Sequence, residues 1–284
     1  MINSKKIVFD VGAHKGEDSK YYLARGYKVI AFECSPLNIK FLKERFKNEI
    51  KSNDLVIETR ALVCGGSADK KLEFFVDDIS VWGTLNINWA KRNERLGSNY
   101  KSILVDTLDP KEIYNLYGIP YFIKIDIEGS DMDVLKSLKY LKYENRPKYL
   151  SLESSKTSWT ALIEEFALLK KLQYVNFQAI PQGKISKIIT KWKNNEGKII
   201  AYHHEKDSSG PFGEDLRNNW KDLKKIKFIY KFIFMRYFLF GDDGIFAPRK
   251  IKIRILRFIY NKVLKLFFLS PDWFDTHAKL KDTK

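Results

Sequence analysis

A small set of carboxylates and glycines, placed at the ends of hydrophobic runs, carries the chemistry this chain could do. Ile7-Val8-Phe9-Asp10-Val11-Gly12-Ala13-His14-Lys15-Gly16 reads as a buried strand that runs into a glycine-punctuated turn, with a helix to follow. Gly12 and Gly16 let a backbone approach a ligand closely and leave N–H groups at a helix N-terminus. Ala13 and His14 crowd the place where a G-x-G-x-x-G dinucleotide fingerprint needs another glycine for its pyrophosphate. Asp10 would repel a pyrophosphate and suits a cationic group. Glu33 ends the next hydrophobic run, 23 residues beyond Asp10. A carboxylate there can accept both hydroxyls of a ribose. The combination favours an adenosine-containing cofactor with a cationic amino-acid end, S-adenosylmethionine, over a dinucleotide. The plainer alternative is a tight βα turn with a surface glutamate.

The second constellation is Tyr121-Phe122-Ile123-Lys124-Ile125-Asp126-Ile127-Glu128-Gly129-Ser130. Strand alternation puts Lys124, Asp126 and Glu128 on one face and three isoleucines on the other. Three charges on a buried strand are costly unless paired or functional. Ligands of open α/β sheets sit beyond the carboxyl ends of the strands, where Asp126 and Glu128 fall. The alternative is a structural Lys124–Asp126 ion pair. Candidate general bases are Asp126, Glu128, Glu153 and the histidines. His14 lies in the cofactor turn and reads as positional. His203-His204 precede the loop 208–213, which could fold over a substrate; His204 is the candidate taken to face the cleft. His277 sits in Asp272-Trp273-Phe274-Asp275-Thr276-His277, a site with Asp275 or a patch that caps the C-terminal helix. Asp126, Glu128 and a neighbouring acid could hold Mg²⁺ or Ca²⁺, but no spacing fixes that geometry and no metal is assigned.

These residues need a scaffold, and the first 180 residues alternate between strand-like and helix-like segments. Strands are expected at 6–11, 28–33, 55–63, 72–76, 120–127, 148–153 and 174–179, and helices at 17–25, 37–46, 132–141 and 159–169. Repeated β-α units imply a doubly wound α/β fold, a parallel sheet with helices on both faces and right-handed crossovers. Residues 77–102, polar and aromatic with Trp82 and Trp89, are expected to form a flap over the site. After Gly183 the pattern degrades into a loop at 207–213 and two basic aromatic helices at 220–240 and 250–269. At 284 residues and 44% apolar the chain can build a sizeable core.

The motifs Phe9-Asp10-Val11-Gly12-Ala13-His14-Lys15-Gly16, Val29-Ile30-Ala31-Phe32-Glu33 with Pro36 and Asn38, Leu108-Asp109, and Ile123-Lys124-Ile125-Asp126-Ile127-Glu128-Gly129 resemble the FkbM-type S-adenosylmethionine-dependent methyltransferases. The resemblance spans roughly residues 7 to 180, and Lys-Ile-Asp-x-Glu-Gly is its most distinctive element. It implies a class I methyltransferase fold, Rossmann-like, and methyl transfer to a hydroxyl oxygen, often on a sugar or polyketide, with S-adenosylhomocysteine as product. By that likeness Asp10, Gly12, Ala13 and Gly16 line the methionine and adenosine side with Asp126. Glu33 takes the ribose, and Arg60-Ala61 lie near the adenine. Cys34 stands where the family often has proline, a departure expected to change loop packing. Asp126, Glu128 and His204 are the candidate catalytic groups. The expected acceptor is a saccharide of a surface glycan or its precursor. The rivals are a small secondary metabolite as acceptor, a non-catalytic S-adenosylmethionine-binding module on an anionic surface, and a nicotinamide dehydrogenase, which the missing glycine argues against.

The expected division is a methyltransferase domain over 1–205 and a basic aromatic helical extension or lid over 206–284. The net charge of +16 is uneven. Arg217–Lys284 carries 17 Lys/Arg against 6 Asp/Glu, and the rest carries 34 against 29. A basic surface attracts phosphates, anionic headgroups or nucleic acid. The extension has no nucleic-acid motif, so it is expected either to finish the core as a lid or to bind an anionic carrier or membrane surface as an interfacial helix. Two cysteines, no signal-peptide pattern and no long apolar run point to a reduced cytoplasmic setting, peripheral at the membrane at most.

Overall fold

The computed structural model describes residues 5–67, 69–77, 83–95, 97–127, 129–155, 158–194, 196–241, 244–266 and 273–282. In chain order the elements are β1 Ile7–Val11, α1 Glu17–Ala24, β2 Lys28–Phe32, α2 Pro36–Arg45, α3 Lys47–Lys51, β3 Leu55–Glu58, β4 Ala61–Leu62, β5 Lys71–Asp77 and α4 Ile87–Arg95. Then follow β6 Tyr100–Leu108, α5 Ile113–Tyr117, β7 Phe122–Ile125, α6 Asp131–Ser137, β8 Tyr149–Glu153, α7 Trp159–Lys171 and β9 Tyr174–Pro181. The chain ends with β10 Ile189–Lys193, β11 Ile199–His203, α8 Leu223–Phe240, α9 Arg254–Leu266 and β12 Phe274–Leu280. They form two compact units, one of Met1–Leu152 with Ile185–Leu216, the other of Glu153–Lys184 with Arg217–Lys284.

In the first unit β3, β2, β1, β7 and β8 lie side by side in that order, all parallel. β1, β2 and β7 are mostly apolar, with nearly every residue buried, Asp10 and Lys124 included, the pattern of strands covered on both faces. The order reverses at β1: the chain moves outward to β2 and β3, then returns to β1's other side with β7. That switch point opens a crevice beyond the carboxyl ends of β1 and β7. The expected strand at 55–63 is two strands. Its second half, β4, joins β6 and β5 in a separate three-stranded sheet, where Phe74, Val105 and Ala61 share a small apolar core. Of the expected flap, 78–82 with Trp82 lies outside the described residues, as does the side chain of Trp89. β6 was not expected, and neither was the β10–β11 hairpin.

In the second unit β9 and β12 are antiparallel, so the α/β pattern of the first half does not extend to them. Phe166 of α7 meets Phe177 of β9 and Tyr230 of α8 edge-on. Beneath them Ser154 Oγ donates to Glu165 at 2.5 Å, and Thr276 hydroxyl bonds both Ser154 and Tyr230. The patch around His277 is not a helix cap. It is β12, with His277 buried opposite Gln178.

Candidate active site

A cleft enclosing about 900 Å³, its open mouth included, lies at the switch point. Gly12, Ala13 and His14 from the β1–α1 turn form one wall. Phe32, Glu33, Cys34, Ser35 and Asn38 form another, where β2 runs into α2, and Arg60, Ala61 and Leu62 extend it. Phe74 and Leu85 close the apolar side. Lys124, Asp126 and Ile127 come from the end of β7, and Asp207 from the loop after β11.

Glu33 is held by donors. Its carboxylate accepts from the backbone N–H of His14 at 2.9 Å and of Ser35 at 2.8 Å, and from Asn38 Nδ2 at 3.3 Å. Burial nevertheless raises its pKa above the ordinary value. Asn38 Oδ1 is buried with no hydrogen-bond partner among the described residues. Arg60 is locked onto Glu58, whose carboxylate accepts from its Nη2 at 2.6 Å and Nε at 2.9 Å. Tyr117 donates to the same carboxylate at 2.6 Å. At the turn, His14 Nδ1 lies 3.2 Å from both carboxylate oxygens of Glu17. Burial pushes Glu17 up, but the imidazole, a backbone hydrogen bond and Lys124 together hold the carboxyl below its usual range.

The polar floor is organised by Lys124. Its ammonium sits 3.2 Å from Asp18, 3.2 Å from Asp126 and 3.8 Å from Asp10. Asp18 also accepts from the backbone N–H of Ser209 at 2.8 Å, so it ties the loop 205–213 to α1. Asp126 is the outermost of these acids, with its side chain 37% exposed against 7% for Lys124. Asp10 does not line the cleft. It is fully buried one layer below, where Ser19 Oγ donates to it at 2.6 Å. Burial pushes its carboxyl up to about 7 although Lys124 pulls it down. Asp10, expected at the cationic end of a ligand, faces Lys124 beneath the cleft, whereas Asp18 and Asp126 are among the acids that line it.

The glycines are also reassigned. A Cβ on Gly12 would lie 1.8 Å from the Asp126 carbonyl oxygen, and its φ is +88°. Gly12 lines the cleft, yet its missing side chain is what lets β1 and β7 close together at their ends. Gly16, with φ +81°, lies outside the lining, and a Cβ there would strike Phe46 and Leu42. It serves helix packing.

His204 is not brought to the cleft. It is buried, with Nε2 2.8 Å from Thr190 Oγ1, and its ring packs edge-on against Tyr21 with centroids 4.6 Å apart. Burial lowers its pKa. The aromatic neighbours Tyr21 and Tyr202 hold it away from the residues that line the cleft. Glu128 lies outside the described residues. Ala13, Glu33, Arg60, Ala61 and Asp126 do gather around one cleft. Sequence reasoning missed Asp18, Glu17 and Asp207, named Asn38 only within a motif, and gave Lys124 no role of its own beyond the alternative of an ion pair with Asp126. Asp18 follows Gly16 in the first turn of α1, a placement in which an acid reads as a partner of the helix dipole. Among the described residues no group of three His, Cys, Asp or Glu gathers as metal ligands.

Residues 10–176 match the methyltransferase FkbM domain. No curated protein matches the chain. Among solved structures, a precorrin 8w decarboxylase from Methanobacterium thermoautotrophicum is 12% identical with a TM-score of 0.34, over 70% of this chain and 78% of that one. A precorrin-6y C5,15-methyltransferase from Geobacter metallireducens is 10% identical with a TM-score of 0.34, over 70% and 75%. An rRNA methylase from Streptococcus thermophilus is 12% identical with a TM-score of 0.30, over 62% and 76%. Likenesses this distant add nothing to the family match, which takes in the cleft from Gly12 to Ile127 and covers well over half the chain. The chain belongs to the FkbM methyltransferase family and is an S-adenosylmethionine-dependent methyltransferase.

Proposed function

We propose that the enzyme methylates a hydroxyl oxygen of a saccharide, with Asp126 as the group that takes up the hydroxyl proton. The residues of the cleft fit the donor. Asn38 Oδ1 and Glu33 supply acceptor capacity on one wall, and Phe32, Ala61, Leu62, Phe74 and Leu85 supply an apolar side for a purine. Asp18 and Asp126 give the floor a negative rim around Lys124 that suits an α-amino group and a sulfonium. When bound, the donor supplies an electrophilic methyl group on a positively charged sulfur.

The observation that carries the reading is the acidity of the cleft. Glu17, Asp18, Asp126 and Asp207 all line it, and Asp126 is the most exposed of the acids around Lys124. Carboxylates accept hydrogen bonds and donate none, so such a wall selects a neutral acceptor rich in O–H donors and repels an anionic one. Asp126 is fixed by Lys124 at 3.2 Å yet keeps an accessible oxygen. It can orient an O–H and hold its proton as the oxygen takes the methyl group. Alignment of the two reactants within the closed cleft provides the larger share of the acceleration, on the order of 7–11 kcal/mol in well-oriented systems.

The test is release of S-adenosylhomocysteine with a panel of neutral mono- and oligosaccharides beside phenols and carboxylic acids. Turnover is expected with saccharides. Asp126→Asn should lower kcat by about 10²–10⁴-fold, the usual worth of a positioned base, while calorimetry still detects donor binding. Turnover confined to phenols or acids would end the saccharide reading. An Asp126→Asn enzyme with unchanged kcat would remove Asp126 from the chemistry.

A further inference from the structure

The second unit carries two helices whose apolar side chains face outward. α8 buries Ile226, Tyr230 and Ile233 on its inner stripe. On the opposite stripe Phe228, Phe232, Met235 and Phe238 recur at spacings of four, three and three residues, and all four are exposed. α9 is the stronger case. Its inward residues are Arg257, Tyr260 and Asn261, with Leu264 as the buried anchor. Arg257 Nε donates to the Ile251 carbonyl at 2.9 Å, and Tyr260 OH to the Phe246 carbonyl at 3.2 Å. Its outward residues are Ile255, Leu256, Phe258, Ile259 and Val263, with Ile255 70% exposed. The helix is amphipathic with its polar side turned in. Ile245 and Phe246, in the segment between the helices, are exposed as well.

An outward apolar face of this extent marks an interaction surface, and its charge selects the partner. From 223 to 271 the chain holds 12 Lys/Arg and 2 Asp. Arg254 and Lys262 are exposed towards either end of α9, and Lys224, Lys225 and Lys231 are exposed on α8. A second copy of the same face would bring two cationic patches together. None of the described helices is long and apolar enough to cross a membrane. Exposed apolar residues interspersed with lysine and arginine, on helices too short or too charged to span, fit the plane of an anionic bilayer. Apolar side chains enter the acyl boundary while lysine and arginine reach back to the headgroups. Each basic residue near such a surface is worth about 1 kcal/mol. We infer that α8, α9 and the segment between them dock this methyltransferase on membranes rich in anionic phospholipid. The inference stands apart from the identity of the acceptor.

The test is sedimentation of the full chain with phosphatidylcholine vesicles, with and without phosphatidylserine. The expected result is retention at least ~10-fold greater with phosphatidylserine, reduced as salt shortens the reach of the charges. The double variant Ile255→Asp, Phe258→Asp should lose retention on both lipids. The double variant Arg254→Glu, Lys262→Glu should lose the preference for phosphatidylserine. All four side chains are exposed, and calorimetric binding of S-adenosylmethionine checks each variant and reports the methyltransferase reading separately. Equal retention on the two lipids overturns the inference. So does retention indifferent to Ile255→Asp, Phe258→Asp, which would leave charge alone at work. A concentration-dependent dimer abolished by that same variant would also overturn it, making the face a contact between copies.

Discussion

Lys124 sets one cation among three carboxylates at the floor of the cleft. Its ammonium neutralises Asp18 and Asp126 at 3.2 Å and reaches Asp10 at 3.8 Å. Three acids around one cation leave excess negative charge, and the innermost acid responds. Asp10 has no exposure, and burial lifts it from 3.8 to about 7 against the pull of Lys124. A carboxyl raised on folding holds its proton better in the folded chain than in the unfolded one. Its contribution to stability is therefore full below about pH 4 and is lost as the pH rises through 7. Asp10→Asn cannot ionise, and Lys124 keeps its two closer partners. The variant should gain on the wild type between pH 5 and pH 8 by on the order of 1–3 kcal/mol, read as the difference in denaturation midpoints at the two pH values. A constant difference would mean that Asp10 is charged throughout. Depth is what the sequence reading of this residue could not supply. Asp10 and Asp126 both stand near strand ends, and residue type alone does not tell that one lies beneath the cleft and the other at its surface. Glu33 was legible because the end of a buried strand beside β1 fixes its position.

Elements made mostly of buried apolar residues were the legible ones. β1, β2, β7 and β8 fall where apolar runs predict them, within two residues at each end, and with them the switch point and its cleft. The strands that escaped are polar or short: β6 carries exposed residues along its first half, β10 and β11 alternate in a hairpin, and β12 contains Asp275, Thr276, His277 and Lys279. β12 is specified by pairing with β9, which precedes it by nearly a hundred residues, and local periodicity carries no trace of such a partner. The β1–α1 turn tests the tightest of these constraints. Gly12→Ala meets both a positive φ and a backbone oxygen 1.8 Å away, so either β1 or β7 must move. Gly26→Ala has φ +82° with nothing within 4 Å. The first should cost about 3–5 kcal/mol and the second about 1–2, the strain of the left-handed region alone. Urea unfolding distinguishes them. Equal losses would show that conformation, not the approach of the two strands, demands glycine at residue 12.

Over the whole molecule, charge is the property that composition states most directly, and its effect on stability has a definite sign. The chain carries 51 Lys/Arg against 35 Asp/Glu, and the excess is concentrated in Arg217–Lys284. The strongest ion pairs are sheltered: Arg25–Asp215 at 2.7 Å and the Lys124 cluster lie in partly or fully buried settings where salt screens little. Exposed pairs such as Lys5–Asp54 and Lys148–Glu214 are each worth about 1 kcal/mol or less. Repulsion among uncompensated lysines and arginines acts over longer distances, so salt relieves more repulsion than it costs in exposed attraction. Raising sodium chloride from about 0.02 M to about 0.3 M should therefore raise the melting temperature by a few degrees, as the Debye length falls from roughly 20 Å to below 10 Å. Chloride is the appropriate salt because sulfate stabilises proteins by exclusion from their surface. Arg254→Glu, Lys262→Glu removes two exposed cations and adds two anions on α9, so it should raise the low-salt melting temperature and flatten its dependence on salt. A melting temperature that falls with sodium chloride in the wild type would place the balance with the exposed ion pairs and would show that the cationic helices are no burden to the folded chain.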